Sequence, residues 1–340
     1  NWGTNGITID SNGLNYQSKD DTFTVEYGTD GMSLAITYMN ATQGWVPTID
    51  EAVADVPSKG NQEGIFGYGG AAGPSMATTN LVSSSGVVGT DVTGVGTARS
   101  YLSATQYGGD KGIFGFGIST LSMTNLVSNA GVVGTDVTGV GSGRYGSAAC
   151  SYGEDKGIFG FGNTGSYTGV TNLVSNVGVV ATDTTGVGTA RDGVAACEFG
   201  GDKGIFGYGK DASGKVSMSN LVSDAGVVAT DVTGVGTARS YPAACSYGYD
   251  KGIFGYGEPG AATAVTNLVS NVGVVSTDVT GVGTARNNPA ACEYGGDKGI
   301  FGYGAGYTAV TNLVTNAGVV GTDVTGVGTA RSALAACSFN

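Results

Sequence analysis

From residue 64 onward, apolar and polar positions recur in a fixed order, and each round contains four short strand-like runs. In GIFGYG the two-residue alternation of a strand sets Phe254 and Tyr256 on one face and Ile253 and Gly255 on the other. One face is thus bulky and aromatic, the other slim. TNLVSN predicts a second strand, apolar at Leu268 and Val269, ending in the turn signal Asn271-Val272-Gly273. GVVSTDVTG is β-branched and Thr-rich, which suits a solvated outer edge. The small residues of PAACSYG suit the innermost strand, where chains converge near an axis.

The round begins at Gly64, Gly112, Gly157, Gly204, Gly252 and Gly299, giving periods of 48, 45, 47, 48 and 47 residues. A repeat this long is one supersecondary unit that must bury its apolar faces against its neighbours. Four strands per repeat predict an all-β, six-bladed β-propeller over residues 58–340. The final RSALAACSFN supplies an innermost strand and stops, whereas the first repeat opens with none before it. The first four cysteines each precede the next repeat's first glycine by seven residues, as in Cys245 to Gly252, so after Cys337 the residues Ser338–Asn340 would take up where residues 60–63 begin. The C-terminal strand is therefore expected to complete the first blade and remove the open sheet edges.

Residues 1–57 are different material. NGITIDSNGLNYQ, DTFTVEYG and MSLAITYMNATQGWV alternate polar and apolar positions between Asn-Gly and Asp-Gly turns, which predicts a small antiparallel β unit. So short a unit buries little surface alone and should lean on copies of itself or on a neighbour. Trp2 and Trp45 are expected to be its core or interface anchors, and TIDEAVADVPSKGNQ its acidic connector to the repeats. Because the chain begins at Asn1 rather than Met, it is expected to be a piece of a longer polypeptide or a processed one.

Composition narrows the functional classes. Gly accounts for 64 of 340 residues but without a three-residue period, which excludes collagen. No apolar stretch approaches the ~20 residues of a membrane helix, and residues 1–20 lack the charged start and apolar run of a signal peptide. Membrane insertion is therefore not expected, and the net charge of −12, which opposes binding to phosphate backbones, argues against nucleic acid as well. The five cysteines, Cys150, Cys197, Cys245, Cys292 and Cys337, hold one slot of the repeat (Thr105 stands there first) and read as small core thiols rather than disulfides.

Histidine is absent, which removes Ser-His-Asp and Cys-His catalysis and the common zinc sites. Asp91, Asp136, Asp183, Asp231, Asp278 and Asp323 recur once per repeat, as do Arg99, Arg144, Arg191, Arg239, Arg286 and Arg331. One acid per blade makes no close catalytic pair. The aspartates are read instead as structural, bonding turn amides beside the Arg of the same corner. No enzyme activity and no cofactor are expected; calcium held by Asp and carbonyl oxygens is the one ion left open.

Length varies only between GYG and TN, where the inserts are nine, six, eight, nine, eight and six residues. Sequence varies most just after the Arg, at residues 100–102, 145–147, 192–194, 240–242, 287–289 and 332–334. In a blade both places emerge at one end. Varied loops on a fixed scaffold are where binding resides, so the candidate ligand site comprises Tyr101, Tyr145, Tyr167, Asp192, Lys210, Tyr241, Asn287, Asn288 and Tyr307. Aromatic rings with amides and a carboxylate suit carbohydrate.

The run Arg-x-x-x-Ala-Ala followed by Gly-x-Asp-Lys-Gly-Ile-Phe-Gly-Tyr-Gly (Arg239 to Gly257) resembles a kelch-type blade, although the second glycine pair is interrupted and the outer Trp is absent. The wording of the repeat is similar to arrays in structural proteins of marine bacteriophages, cyanophages especially. FTVEYGTDGMSLAITYMNATQGWVPTID (residues 23–50) resembles connector segments of phage tail-fibre and appendage proteins. These resemblances imply a virion-surface, extracellular location and a receptor-binding role toward a host cell-surface glycan or other receptor. They also imply attachment to other virion proteins through the N-terminal unit, and a homo-oligomer, in fibres commonly a trimer. A structural or decorating module without ligand binding is the alternative, and a glycan-cleaving enzyme the third reading.

Overall fold

A computed structural model describes residues 7–18, 25–27, 32–52, 62–71 and 73–340. Trp2 and most of the acidic connector lie outside them. All regular structure among the described residues is β, and the chain divides into the units Asn1–Lys59 and Gly60–Asn340.

In the first unit Ile7–Ile9 pairs antiparallel with Val25–Tyr27, and Met32–Asn40 with Gly44–Ala52. Trp45 is half-buried, meets the Tyr38 ring edge-on at 5.5 Å and forms a β-bridge with the buried Tyr16.

The second unit contains six antiparallel three-stranded sheets, each built in the order AAC, GIFG, TNLV. Sheet one joins the two ends of the unit: Ala335–Phe339 pairs with Glu63–Gly67, which pairs with Thr79–Val82. Sheet two is Ser103–Tyr107, Lys111–Gly115 and Thr124–Val127; sheet three is Ala148–Tyr152, Lys156–Asn163 and Tyr167–Val174. Sheet four is Ala195–Phe199, Lys203–Gly207 and Ser219–Val222; sheet five is Ala243–Tyr247, Lys251–Gly255 and Thr266–Val269. Sheet six is Ala290–Tyr294, Lys298–Gly302 and Thr311–Val314. Each first strand lies beside the first strands of two other sheets, and the series returns from sheet one to sheet two.

The outer-edge strand expected of GVV-TDVTG is reduced to isolated bridges, such as Val82 to Val88 and Thr79 to Val92. Between them the Asn80 side-chain amide donates to Gly89 O (3.0 Å) and to Asp91 (2.9 Å), taking the place of ladder bonds.

Neighbouring sheets fit large against small, Phe on Gly as the alternation suggests, but without the Tyr on the Phe face. Phe254 and Tyr256 do not share a face. Phe254 packs with Ile205 and Tyr208 of sheet four, whereas Tyr256 packs with Ile253 and Phe301. Tyr256 has φ +64°, so the pleat ends at Gly255 and the Tyr side chain returns to the side of Ile253. The small partner is the glycine before the Tyr: a Cβ on Gly207 would stand 2.7 Å from Phe254 Cζ. The relation repeats through all six sheets, ending with Gly302 against Phe66. Burying each Phe fully contributes roughly 1.5–3 kcal/mol.

Arginines fasten the corners. Arg99, fully buried, stacks 4.4 Å from the Tyr68 ring centroid of sheet one while donating through Nε to Phe116 O (2.9 Å) and through Nη2 to Asn125 Oδ1 (2.7 Å) of sheet two. Arg331 does the same between Tyr303 of sheet six and Tyr68 O and Asn80 of sheet one. Burial lowers the guanidinium pKa, to about 10 for Arg144 and for Arg191, so each stays charged at neutral pH. Asp136 binds the Thr97 amide and hydroxyl of the preceding corner, 4.0 Å from Arg99. The aspartates thus bond turn amides as expected, but across two sheets.

Candidate functional site

The six variable tripeptides after the arginines enter the first strands, and their backbones bond to one another in a closed cycle. Tyr101 N donates to Ala333 O (2.8 Å), Gly146 N to Tyr101 O (2.9 Å) and Gly193 N to Gly146 O (2.9 Å). Tyr241 N then donates to Gly193 O (2.8 Å), Asn288 N to Tyr241 O (3.1 Å) and Ala333 N to Asn288 O (3.1 Å). All six residues are left-handed, with φ between +51° (Asn288) and +62° (Gly146). Four of them are not glycine, and that conformation costs each of those roughly 1–2 kcal/mol, which the cycle and the packing beneath it offset. The result is a rigid backbone collar.

Side chains of different sheets meet above it. The Tyr101 ring lies edge-on to Tyr145 at 6.5 Å and to Tyr241 at 5.7 Å. The residues Tyr101 and Tyr241, with Asn288, Pro242 and Pro289, border a cavity of about 70 Å³. Burial, then the neighbouring carboxylate of Asp192, raises the Tyr241 hydroxyl well above the ordinary phenol range. Tyr101 is raised by burial and by Tyr307.

Asp192 is 3% exposed and pairs through its backbone with Lys210 in both directions. Its Oδ2 accepts from Asn163 Nδ2 (3.4 Å), while its Oδ1 has no partner among the described residues. Burial therefore raises this carboxyl despite Asn163 and Lys210. Lys210 Nζ sits 5.8 Å from the Tyr167 ring centroid, on the short hairpin Lys210–Asp211/Gly214–Lys215 that the longest inserts permit.

Tyr101, Tyr145, Asp192 and Tyr241 therefore come together, with Tyr167 and Lys210 beside Asp192. Asn288 belongs to the collar. Asn287 points instead to Glu258 (2.6 Å), which also meets Lys215 (3.3 Å). Tyr307 is 48% exposed, at the rim. Glu258 and Lys215 escaped the sequence reading, although both lie in the length-variable insert. A third variable position also escaped it: the residue after each cysteine slot reads Gln106, Ser151, Glu198, Ser246, Glu293 and Ser338. Among the described residues no group of three or more His, Cys, Asp or Glu is placed to hold a metal, and no helix is long and apolar enough to cross a membrane.

Compared with known proteins, the chain matches no protein-family model and no curated protein at a significant level.

Proposed function

We propose that the six sheets are the blades of a closed six-bladed propeller, and that its tyrosine-bearing mouth binds a host cell-surface glycan for a virion appendage. The observation that carries the reading is the meeting of Tyr101, Tyr145 and Tyr241, from three sheets, at a place where the repeat is not kept. Ring faces offer apolar surface to the C–H side of a sugar while hydroxyl tips hydrogen-bond its oxygens. Asp192, Lys210 and Asn288 add polar groups, and the collar holds them with little entropy left to lose. The regular aspartates and arginines are occupied in corner bonds, which favours binding over catalysis.

For residues 1–59 the corresponding proposal is attachment to other virion proteins and assembly into a homo-oligomer. A decorating module is the rival reading. It is favoured by a belt of exposed valines repeated round the outer edges, Val87, Val132, Val179, Val227, Val274 and Val319, each more than 60% exposed.

The test is binding of the full chain to host-type cell envelopes and a glycan panel, comparing wild type with Tyr101→Ala and Tyr145→Ala. Saturable binding that free sugar competes and that either variant weakens at least tenfold (about 1.4 kcal/mol) supports the reading. Binding indifferent to both variants, or none to any glycan, overturns it.

A further inference from the structure

Along each first strand, alternate residues face the axis round which those strands are arranged: an alanine (Ala244, for instance), then the residue after the cysteine slot. Six alanines form one level. Gln106, Ser151, Glu198, Ser246, Glu293 and Ser338 form the next and line a cavity of about 60 Å³. We propose that this axial cavity binds one hard divalent cation, Ca²⁺, between the carboxylates of Glu198 and Glu293.

The two acids are differently placed. Glu198 Oε2 accepts from Ser151 Oγ and from Gln106 Nε2 (3.2 Å), so sheets two, three and four reach each other across the axis. Glu293 is 7% exposed, and its polar bonds run through its backbone: its N donates to Ser338 Oγ (2.9 Å), which donates to its O (3.1 Å). Its carboxyl has no hydrogen-bond partner among the described residues, though it lines the cavity. An unmade bond of this kind is costly to a buried ionisable group.

The lining carries no basic residue. Its titratable groups are the two glutamates and the cysteines, with Asp297 near Glu293. Asp297 is bound to Lys298 (2.6 Å) and Asn316 (3.0 Å). The cysteine sulfurs face neighbouring sheets, as Cys245 Sγ lies 2.5 Å from where a Cβ on Gly299 would stand. The donors left are carboxylate, hydroxyl and amide oxygens, which select a hard cation. Two carboxylates match a double charge, and an irregular set drawn from six sheets suits the six to eight flexible ligands of Ca²⁺ better than the octahedron of Mg²⁺. A space of this size holds an ion with water beside it.

The test uses the full chain, freed of metal by chelator and titrated with CaCl₂, read by melting temperature and by metal content after gel filtration. One calcium per chain and a rise of about 3 °C or more are expected. Glu293→Gln and Glu198→Gln, near-isosteric and neutral, should each lose at least tenfold in calcium affinity. Without metal at pH 8, Glu293→Gln should melt above wild type, because an amide replaces an unpartnered carboxyl. Less than 0.1 calcium per chain, or an undiminished response in Glu293→Gln, overturns the proposal. So does a metal-free Glu293 whose titration alone accounts for the pH dependence while calcium has no effect. Metal content and melting of the wild type decide the matter even if a variant fails to fold.

Discussion

The ring of Phe66 lies directly on Gly302: a Cβ on that glycine would stand 2.7 Å from Phe66 Cζ, closer than real Cβ contacts come. Gly302 precedes the last sheet's Tyr303 and Phe66 belongs to the first, so this contact joins the two ends of the repeat array. Gly302→Ala should therefore destabilise the unit by about 1–3 kcal/mol, the usual cost of overpacking. Gly207→Ala, which meets Phe254 in the same way, should cost the same within about 0.5 kcal/mol. Denaturant melts of the two variants check this; a much milder Gly302→Ala would mean an array open between sheets six and one.

Arg331→Lys should be far from conservative. A lysine cannot stack on Tyr303 while also reaching Tyr68 O and Asn80 Oδ1, so two buried acceptors lose their donors. The expected loss is about 3–5 kcal/mol. Calorimetry should show it, with a double-mutant cycle against Asn80→Ala returning a large coupling.

Acid should unfold the repeat unit cooperatively. At each of the six corner aspartates burial raises the pKa, but hydrogen bonds and the arginine outweigh it; for Asp91 these are the Thr329 hydroxyl and amide, Asn80 and Arg331. The net shift is downward at every corner. A lowered folded pKa means stability that is present above the unfolded value, about 3.9, and lost as pH falls through the folded one. Melting temperature should fall steeply below about pH 4, and Asp91→Asn should flatten that slope.

Asp192 should behave oppositely. Its carboxyl is raised by burial, so its favourable contribution is present at low pH and lost as pH rises through its folded pKa. Asp192→Asn should melt above wild type at pH 8, with the difference shrinking toward pH 4. An unchanged difference across that range would contradict the sign.

All five cysteines are free and buried, and burial raises the thiols, Cys337 to about 12. The native chain should resist a thiol reagent at pH 8, and all five should react together on unfolding.

The periodic part of this architecture was legible because each segment's composition states its burial: β-branched at the edge, alanine and cysteine inside. The pairing of Ala335–Phe339 with Glu63–Gly67 followed from a constant seven-residue interval. What escaped were facts of backbone conformation and inter-sheet reach. Alternation cannot foresee that Tyr256 turns left-handed and changes faces, nor that Arg99 spends its donors on the following sheet. The tyrosines could be named one by one because variability marks them; the collar that includes Tyr101 and Tyr241 depends on six left-handed residues, only two of them glycine. Glu198 and Glu293 were passed over because a single varied position inside a constant strand looks like drift.

The pairing within sheet one also sets an order of events during synthesis. Sheets two to six each become complete once a contiguous stretch of chain has emerged, but sheet one stays two-stranded until residue 339 is available. Its contacts are among the least local in the molecule: Arg331 reaches Asn80 across 251 residues. Closing such a loop is slow and leaves a sheet edge open in the meantime. The nascent chain is therefore exposed to mispairing with another copy along Glu63–Gly67 until residues 335–339 have emerged to cover that edge.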